Sequence, residues 1–443
     1  MAKIDQTTEK TFAQEFAAFI TAAPSAYHAA AWEAEQLHTA GFTEQDEHEI
    51  WMNHRRGFVR RSGAVIAWQL PQKIDAQTGF RIVGAHNDSP SFKIKPNPDT
   101  AAFGFSQVNV EVYGGPLLNS WLNRDLGIAG QISTIDGEIH LVKTPPIMYI
   151  PQLAPHLDRS QNGELKLSAQ NDYHPIWAIG DHSIFTYLAD YIGVEQSRIA
   201  GMDLYAYDGQ APRIFGGTSE ADFLAAGRQD NLSSVFAAFR AFCEIAADAE
   251  KNESNSDPEE AGDVLIFAAF DHEEVGSCTF TGAEGPFLEH LLRRISAGLT
   301  AAEKTNSAER FLQMLANSSC ISADAGHSIN PNKTEKHDPA HQPVLGNGPL
   351  LKINSQQRYA TEAQGIALWL RACEAGEIAT QEFVSNNDVP CGSTIGPATA
   401  TRLGIVTVDV GIPLLSMHSV REISAPADLL ALAKALQGYY AGA

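Results

Sequence analysis

Hydrophobic residues recur at two spacings along the chain, one typical of helices and one typical of strands. Phe12, Phe16, Phe19 and Ile20 follow helical spacing, and Pro24 separates them from a second helical stretch. The predicted strands are 64–70, 80–85, 264–270, 320–324 and 405–410, and the later predicted helices are 230–247, 286–296, 362–375 and the segment from 426 onward. This alternation predicts an α/β fold with a mixed, mostly parallel sheet flanked by helices.

The hydrophobic pattern changes between residues 95 and 226. Short alternating segments there are separated by pairs of turn residues such as Gly114-Gly115 and Pro145-Pro146. We therefore predict a β-rich domain inserted into the α/β domain. The predicted domains are 1–94 for the first part of the α/β domain, 95–226 for the insertion and 227–443 for the second part.

Histidines and carboxylates follow the predicted strands at five places. These are His86 with Asp88, Asp230, the triplet His272-Glu273-Glu274, Asp324 with His327, and His418. In an open α/β sheet the carboxyl ends of the strands meet at one crevice. We therefore expect these side chains to converge, although they are far apart in the sequence.

Each of these places also has a simpler interpretation when it is taken alone. Asp230 precedes a predicted helix and could serve as its N-cap, and the acidic triplet could be a solvated turn. His86 could be an ordinary hydrogen-bonded histidine. Asp88 favours a metal site, because an imidazole that binds a metal usually donates its other N–H to a carboxylate.

Glu273 and Glu274 are the most informative pair in this set. Two adjacent carboxylates repel each other unless one binds a cation or a proton. If Glu274 binds a metal, Glu273 can act as a general base toward water. An H-E-x-x-H zinc helix is excluded because residue 276 is Gly276.

The set contains two histidines and three carboxylates as candidate ligands, which are His86, His418, Asp230, Glu274 and Asp324. These suffice for two divalent cations that share one bridging carboxylate. Zinc is the first candidate for these ions, with manganese or cobalt as alternatives.

Composition narrows the classes of partner and compartment. The chain has 31 basic and 53 acidic residues and a formal net charge of −22 at pH 7. Such a surface excludes nucleic acid as a partner and requires a local cation to hold any acidic substrate. The five scattered cysteines favour a reducing compartment, and we expect a cytoplasmic protein. No apolar run is long enough for a membrane span.

Seven segments in order along nearly the whole chain carry a family resemblance. They are 85–90 (AHNDSP), 228–232 (RQDNL), 273–277 (EEVGS), 322–327 (SADAGH), 357–360 (QRYA), 390–397 (PCGSTIGP) and 417–422 (MHSVRE). With these segments the chain resembles the M18 metallopeptidases, the aspartyl aminopeptidase family.

This resemblance implies a dinuclear-metallopeptidase catalytic domain with an inserted β-rich dimerisation domain. The implied site has His86 and Asp324 on one metal, Glu274 and His418 on the other, Asp230 bridging, Asp88 orienting His86, and Glu273 as general base. The implied reaction removes an N-terminal, preferably acidic residue from peptides by attack of a metal-bridged hydroxide. Dimers of such chains are expected to assemble into a tetrahedral dodecamer.

Three further residues are predicted to bind substrate. The resemblance implies that His156 approaches the active site of a neighbouring subunit, although His156 alone could be a surface histidine. Lys352 lies in an apolar segment that the family places at the substrate pocket, which favours an inward cation for an acidic side chain. A lysine that protects a strand edge is the alternative. Arg358 is the next candidate cation.

Two other functions remain open at this point. A related dinuclear-zinc deacylase or carboxypeptidase would use the same metal ligands and would differ in whether the substrate needs a free amine or a free carboxylate. A catalytically silent scaffold would keep the assembly without the activity, and the complete ligand set argues against it.

Overall fold

The computed structural model describes residues 6–51, 55–218, 220–251, 261–299 and 306–443. Its α-helices are α1 Gln6–Ala22, α2 Ala26–Thr39, α3 Ile184–Ile192, α4 Gln229–Lys251, α5 Phe287–Leu299, α6 Ser307–Ala316, α7 Ala363–Ala375, α8 Ile395–Leu403 and α9 Pro426–Tyr440.

The strands up to the end of the predicted insertion are β1 Thr43–Glu44, β2 Arg56–Arg61, β3 Ala64–Gln69, β4 Phe80–His86, β5 Ser91–Ala102, β6 Phe105–Tyr113, β7 Asp125–Thr134, β8 Ile139–Lys143, β9 Met148–Tyr149, β10 Ile176–Ile179, β11 Ile199–Asp208, β12 Arg213–Phe215 and β13 Phe223–Ala226. The later strands are β14 Val264–Phe270, β15 Ser319–Ala323, β16 Gly326–His327, β17 Leu350–Ile353, β18 Gln381–Val384, β19 Val406–Gly411, β20 Pro413–Leu414 and β21 Glu422–Ser424.

The main sheet has the strand order β1-β2-β3-β14-β4-β15-β19-β17-β18. Its centre, from β14 through β4 and β15 to β19, is parallel. Alternate residues of β14 explain why this strand is apolar throughout. Leu265 and Phe267 pack in the core that also contains residues of α1, α4 and α9, whereas Val264 and Ile266 pack in the opposite core with residues of α5 and α6. The predicted mixed, mostly parallel sheet flanked by helices is confirmed.

The parallel register aligns the ends of the central strands. Phe270 of β14 pairs with His86 of β4, and Ser322 of β15 pairs with Gly84 of β4. The residues that follow β4, β14 and β15 therefore leave the sheet at one edge. This edge carries the candidate site.

A second sheet forms a closed antiparallel barrel. Its order is β11-β5-β6-β10-β9-β7-β8, and pairing of β11 with β7 closes it. The barrel has its own core, which includes Phe92, Ile128 and Leu204, and α3 packs against it. The barrel strands fall between Ser91 and Asp208. After them, β12 and β13 form a small antiparallel sheet with β21 from the C-terminal part of the chain.

The inserted β-rich domain is thus present as a barrel. Its role in dimerisation, and the boundaries at 94/95 and 226/227, stay predictions. The five cysteines are free thiols. Within the described ranges, no helix combines the length and the apolar composition needed to cross a membrane.

Candidate metal centre

His86 ends strand β4 and is almost completely buried, with 1% of its surface exposed. Its Nδ1 lies 3.1 Å from the backbone oxygen of Asp88 and 3.3 Å from Oδ1 of the same residue. Its Nε2 lies 3.6 Å from Asp230 Oδ1 and 3.6 Å from Asp324 Oδ1. Because Nδ1 is held by Asp88, Nε2 is the nitrogen that faces the two carboxylates.

A second cluster forms around His418. Its Nε2 lies 3.3 Å from Asp230 Oδ2 and 3.5 Å from Glu274 Oε2. The two oxygens of Asp230 therefore face different histidines, Oδ1 toward His86 and Oδ2 toward His418. The carboxylate of Asp230 points into this site, and Asp230 itself lies outside the helical conformation at the start of α4.

The acidic turn after β14 directs its two glutamates toward different histidines, although ligand atoms of both glutamates and of His86 lie within 4.8 Å of one another. Glu273 Oε2 lies 3.8 Å from His86 Nε2, whereas Glu274 points toward His418. The backbone N–H groups of Glu273 and Glu274 each donate to the carboxylate of Asp88, at 3.1 Å. Asp88 therefore fixes both the His86 ring and the turn that carries the glutamates.

The chemistry of these clusters fits divalent cations. The groups whose ligand atoms lie within 4.8 Å of one another include His86 with Asp230 and Asp324, and Asp230 with Glu274 and His418. Ligands about 2.0–2.1 Å from a tetrahedral zinc ion would lie about 3.3 Å apart, close to the separations seen in each cluster. Asp230 Oδ1 and Glu274 Oε1 are buried and have no hydrogen-bond partner. Bound cations would satisfy both atoms.

The electrostatics lead to the same conclusion. Burial, reinforced by the charge of Asp230, raises the pKa of Glu274 well above its ordinary value. Burial also raises the pKa of Glu273 to about 7, with the His86 charge opposing the shift. Burial lowers the pKa of His418, but hydrogen bonding to Asp230 outweighs it and raises the value to about 10. Buried carboxylates this close together require positive charge nearby.

The remaining members of the predicted set lie at different places. The Nδ1 of His272 turns away from the centre toward the hydroxyl groups of Thr279 and Thr281. His327 and Lys352 line the same cleft as the clusters. The cleft has a volume of about 550 Å³.

Lys352 is buried, with 1% of its surface exposed, and its Nζ donates to Asp324 Oδ2 at 3.2 Å. Arg358 and His156 are exposed, and neither belongs to the residues that line the cleft of this chain. The substrate-binding roles of Lys352, Arg358 and His156 therefore stay predictions.

Sequence reasoning missed Tyr113, at the end of barrel strand β6. Its hydroxyl donates to Asp88 Oδ2 at 2.8 Å. The neighbouring Gly114-Gly115 pair is the available signal, but by itself it predicts only a turn. Sequence reasoning also did not predict that Tyr359 lines the cleft. The centre of its ring lies 4.8 Å from the ammonium nitrogen of Lys352.

Comparison with known proteins identifies the family. Residues 19–440 match the sequence profile described as "Aminopeptidase I zinc metalloprotease (M18)". The chain belongs to the M18 aminopeptidase family. The M18 family consists of zinc metallopeptidases, so the use of a divalent metal by this chain is supported.

Curated and solved relatives agree with this assignment. A probable M18 family aminopeptidase 2 of Streptomyces avermitilis is 44% identical over 431 residues, which is 96% of each chain. The crystal structure of yeast aminopeptidase 1 is 29% identical, with a TM-score of 0.83, and covers 98% of this chain and 97% of its own. The structure of the S. cerevisiae mApe1 dodecamer is 30% identical, with a TM-score of 0.82 and the same coverage.

Proposed function

We propose that this M18 metalloaminopeptidase uses two divalent metal ions, with zinc first and manganese or cobalt as alternatives, to remove an N-terminal, preferably acidic residue from peptides. The observation that carries the two-ion proposal is the position of Asp230. Its Oδ1 faces His86 and its Oδ2 faces His418, at 3.6 and 3.3 Å. A carboxylate shared in this way is the bridging ligand that a two-metal site requires.

The proposed ligands are His86 and Asp324 for one ion and Glu274 and His418 for the other, with Asp230 shared. Bound divalent cations would supply Lewis acidity, which polarises the scissile carbonyl and lowers the pKa of water. Asp88 keeps the proton of His86 on Nδ1, so that Nε2 serves as the ligand atom.

Glu273 is the proposed general base. It is the glutamate of the acidic turn that lies beside His86 without belonging to the proposed set of five ligands, and it lines the cleft. We propose that Glu273 takes a proton from the attacking water and then donates it to the leaving amine. Its position beside the proposed ligands, at the wall of the cleft, suits a group that accepts a proton and returns it.

The preference for acidic residues rests on Lys352. Lys352 is the only lysine or arginine among the described residues that line the cleft. In a chain with a net charge of −22, an acidic substrate side chain needs such a local cation. We propose that the Lys352 ammonium faces this side chain, with Arg358 as the second candidate.

We also propose a homo-oligomer in which dimers assemble into a tetrahedral dodecamer, as the dodecameric state of yeast mApe1 suggests. His156 is exposed on the barrel domain, and the nearby Leu153 and Leu157 are 50% and 77% exposed. An exposed apolar loop of this kind suits an interface. We propose that His156 reaches the cleft of a neighbouring subunit.

A substrate panel tests the proposed reaction. The purified full chain would be loaded with zinc, manganese or cobalt and assayed on aspartyl, glutamyl, alanyl and leucyl substrates, each with a free or an acetylated amine. We expect hydrolysis of free-amine substrates, fastest for aspartyl and glutamyl. Hydrolysis only of N-acyl amino acids would support a deacylase, and activity that requires a free carboxyl end would support a carboxypeptidase. Metal binding without any hydrolysis would support a silent scaffold.

A further inference from the structure

One short segment of the barrel domain contacts the metal centre at three consecutive residues. Tyr113 ends strand β6, and Gly114 and Gly115 follow it. Tyr113 donates its hydroxyl to Asp88 Oδ2, at 2.8 Å. Gly115 accepts a hydrogen bond on its backbone oxygen from His418 Nδ1, at 2.9 Å.

Gly114 lies against Glu274, the third residue of the metal centre that this segment contacts. A Cβ atom added at Gly114 would be 3.0 Å from Cβ of Glu274 and 3.4 Å from its carboxylate oxygen Oε2. Gly114 also has a φ of +67°, a conformation that side chains rarely adopt. Backbone conformation and close approach both favour glycine here, and the close approach is to a proposed metal ligand.

The orientation of His418 depends on the same segment. His418 has a φ of 64° and lies in a loop, so no helix or strand fixes its ring. The oxygen of Gly115 holds the proton on Nδ1, and Nε2 is then left to face Glu274 and Asp230. The barrel backbone therefore selects the tautomer and the ring direction that a metal ligand needs.

We propose that the segment Tyr113–Gly115 is a positioning element through which the barrel domain sets the metal affinity of the cluster formed by Glu274, Asp230 and His418. This inference rests on the proposed ligand roles. The contacts of Gly114 and Gly115 involve Glu274 and His418, the two ligands assigned to one ion. A change at Gly114 should therefore weaken the binding of this ion and leave the binding of the other ion nearly unchanged.

Metal titration of the full-length chain tests this proposal. The metal-free protein would be titrated with zinc in competition with a chelator, and with cobalt while its visible absorption is recorded. We expect Gly114→Ala to lower the affinity for one metal equivalent about 10–100-fold, because loss of a contact that orients a ligand typically has an effect of this size. The affinity for the other equivalent should stay near the wild-type value. The cobalt spectrum should change for the weakened equivalent.

Gly137→Ala is the matched control. Gly137 lies in the turn between β7 and β8 of the same barrel and has a φ of +87°, but no atom lies within 4 Å of an added Cβ. The control reproduces the backbone strain without the contact with Glu274. Equal metal affinities in Gly114→Ala and Gly137→Ala would overturn the positioning role. A wild-type chain that binds fewer than two ions would overturn the proposed two-metal function itself.

Tyr113→Phe decides the question if Gly114→Ala does not fold. It removes the hydroxyl that holds Asp88 and adds no atoms. Tyr207→Phe is its control, because the Tyr207 hydroxyl donates at 2.6 Å to the backbone oxygen of Thr144 within the barrel. We expect both metal equivalents to bind more weakly in Tyr113→Phe than in Tyr207→Phe, because Asp88 holds His86 of one cluster and the turn that carries Glu274 of the other. Weaker binding of fewer than two equivalents would contradict the proposal.

Discussion

The ammonium group of Lys352 lies 3.2 Å from Oδ2 of Asp324. It also donates to the backbone oxygens of Asp324 and Ala325, at 3.1 and 3.0 Å, so that all three of its N–H groups have partners. The other oxygen of Asp324, Oδ1, faces His86. Lys352 is therefore placed to orient a proposed metal ligand, and its proposed attraction for an acidic side chain would act through its charge, because no donor is left free.

Lys352→Ala separates these two roles. If the ammonium attracts the acidic substrate, kcat/KM for aspartyl and glutamyl substrates should fall, and the fall should correspond to a loss of about 2–4 kcal/mol of transition-state stabilisation. The loss for alanyl substrates should be much smaller. The measurement is kcat/KM on matched aspartyl and alanyl substrates, with the metal content determined for each preparation. Equal losses on both substrates would mean that Lys352 acts through Asp324, and Arg358→Ala would then be tested for the acidic preference.

Glu273→Gln is expected to abolish turnover while both metal ions stay bound. The substitution keeps the shape of the side chain but removes the proton acceptor, which should lower kcat about 10²–10⁴-fold. Metal analysis beside steady-state kinetics measures both effects. Asp230→Asn is the comparison, because weakening the shared ligand should release metal as well. A Glu273→Gln variant with near-normal kcat would show that another group is the base.

The sequence predicts much of this fold because its helices and strands carry strong local patterns. The uninterrupted apolar run predicted as a strand at 264–270 is β14, Val264–Phe270. The helix predicted at 362–375 is α7, Ala363–Ala375. The convergence of His86 and Asp324 was also predictable, because both follow parallel strands whose ends meet at one edge of the sheet.

Contacts between the two domains had no such local signal. Gly115 and His418 are 303 residues apart in the chain, and a hydrogen bond between a backbone oxygen and a distant imidazole leaves no spacing that could be recognised. The inward position of Lys352 was predictable from its apolar neighbours. Its partner was not, because Asp324 is 28 residues earlier and on another strand end.

Asp428 is expected to make the stability depend on pH through a site remote from the proposed metal ligands. Its carboxylate is fully buried in α9 and accepts hydrogen bonds from the backbone N–H groups of Gly346 and Gly348. Burial raises its pKa from 3.8 to about 7. Between these values the unfolded chain loses the proton while the folded chain keeps it. The contribution of Asp428 is therefore present below pH 4 and is lost as the pH rises toward 7.

The size of this effect is on the order of 3–4 kcal/mol for a shift of about three pKa units. Denaturant unfolding of the wild type and of Asp428→Asn between pH 4.5 and 8 measures it, because asparagine does not titrate. We expect the difference in unfolding free energy between the two proteins to change with pH, with the wild type losing stability relative to the variant as the pH rises. A difference that is constant across this range would mean that the pKa of Asp428 is not raised.

The proposed contribution of His156 to a neighbouring cleft can be tested with mixed oligomers. A Glu273→Gln subunit lacks its own base but still carries His156, whereas a His156→Ala subunit keeps its own Glu273. If the cleft combines Glu273 of one subunit with the histidine of another, a hybrid dimer contains one intact site. Equal mixing should then restore about a quarter of wild-type activity from two weakly active parents, because about half of the dimers are hybrids. Subunits with different affinity tags would prove that hybrids form. Proven hybrids that are no more active than the average of their parents would show that each cleft works with residues of a single chain.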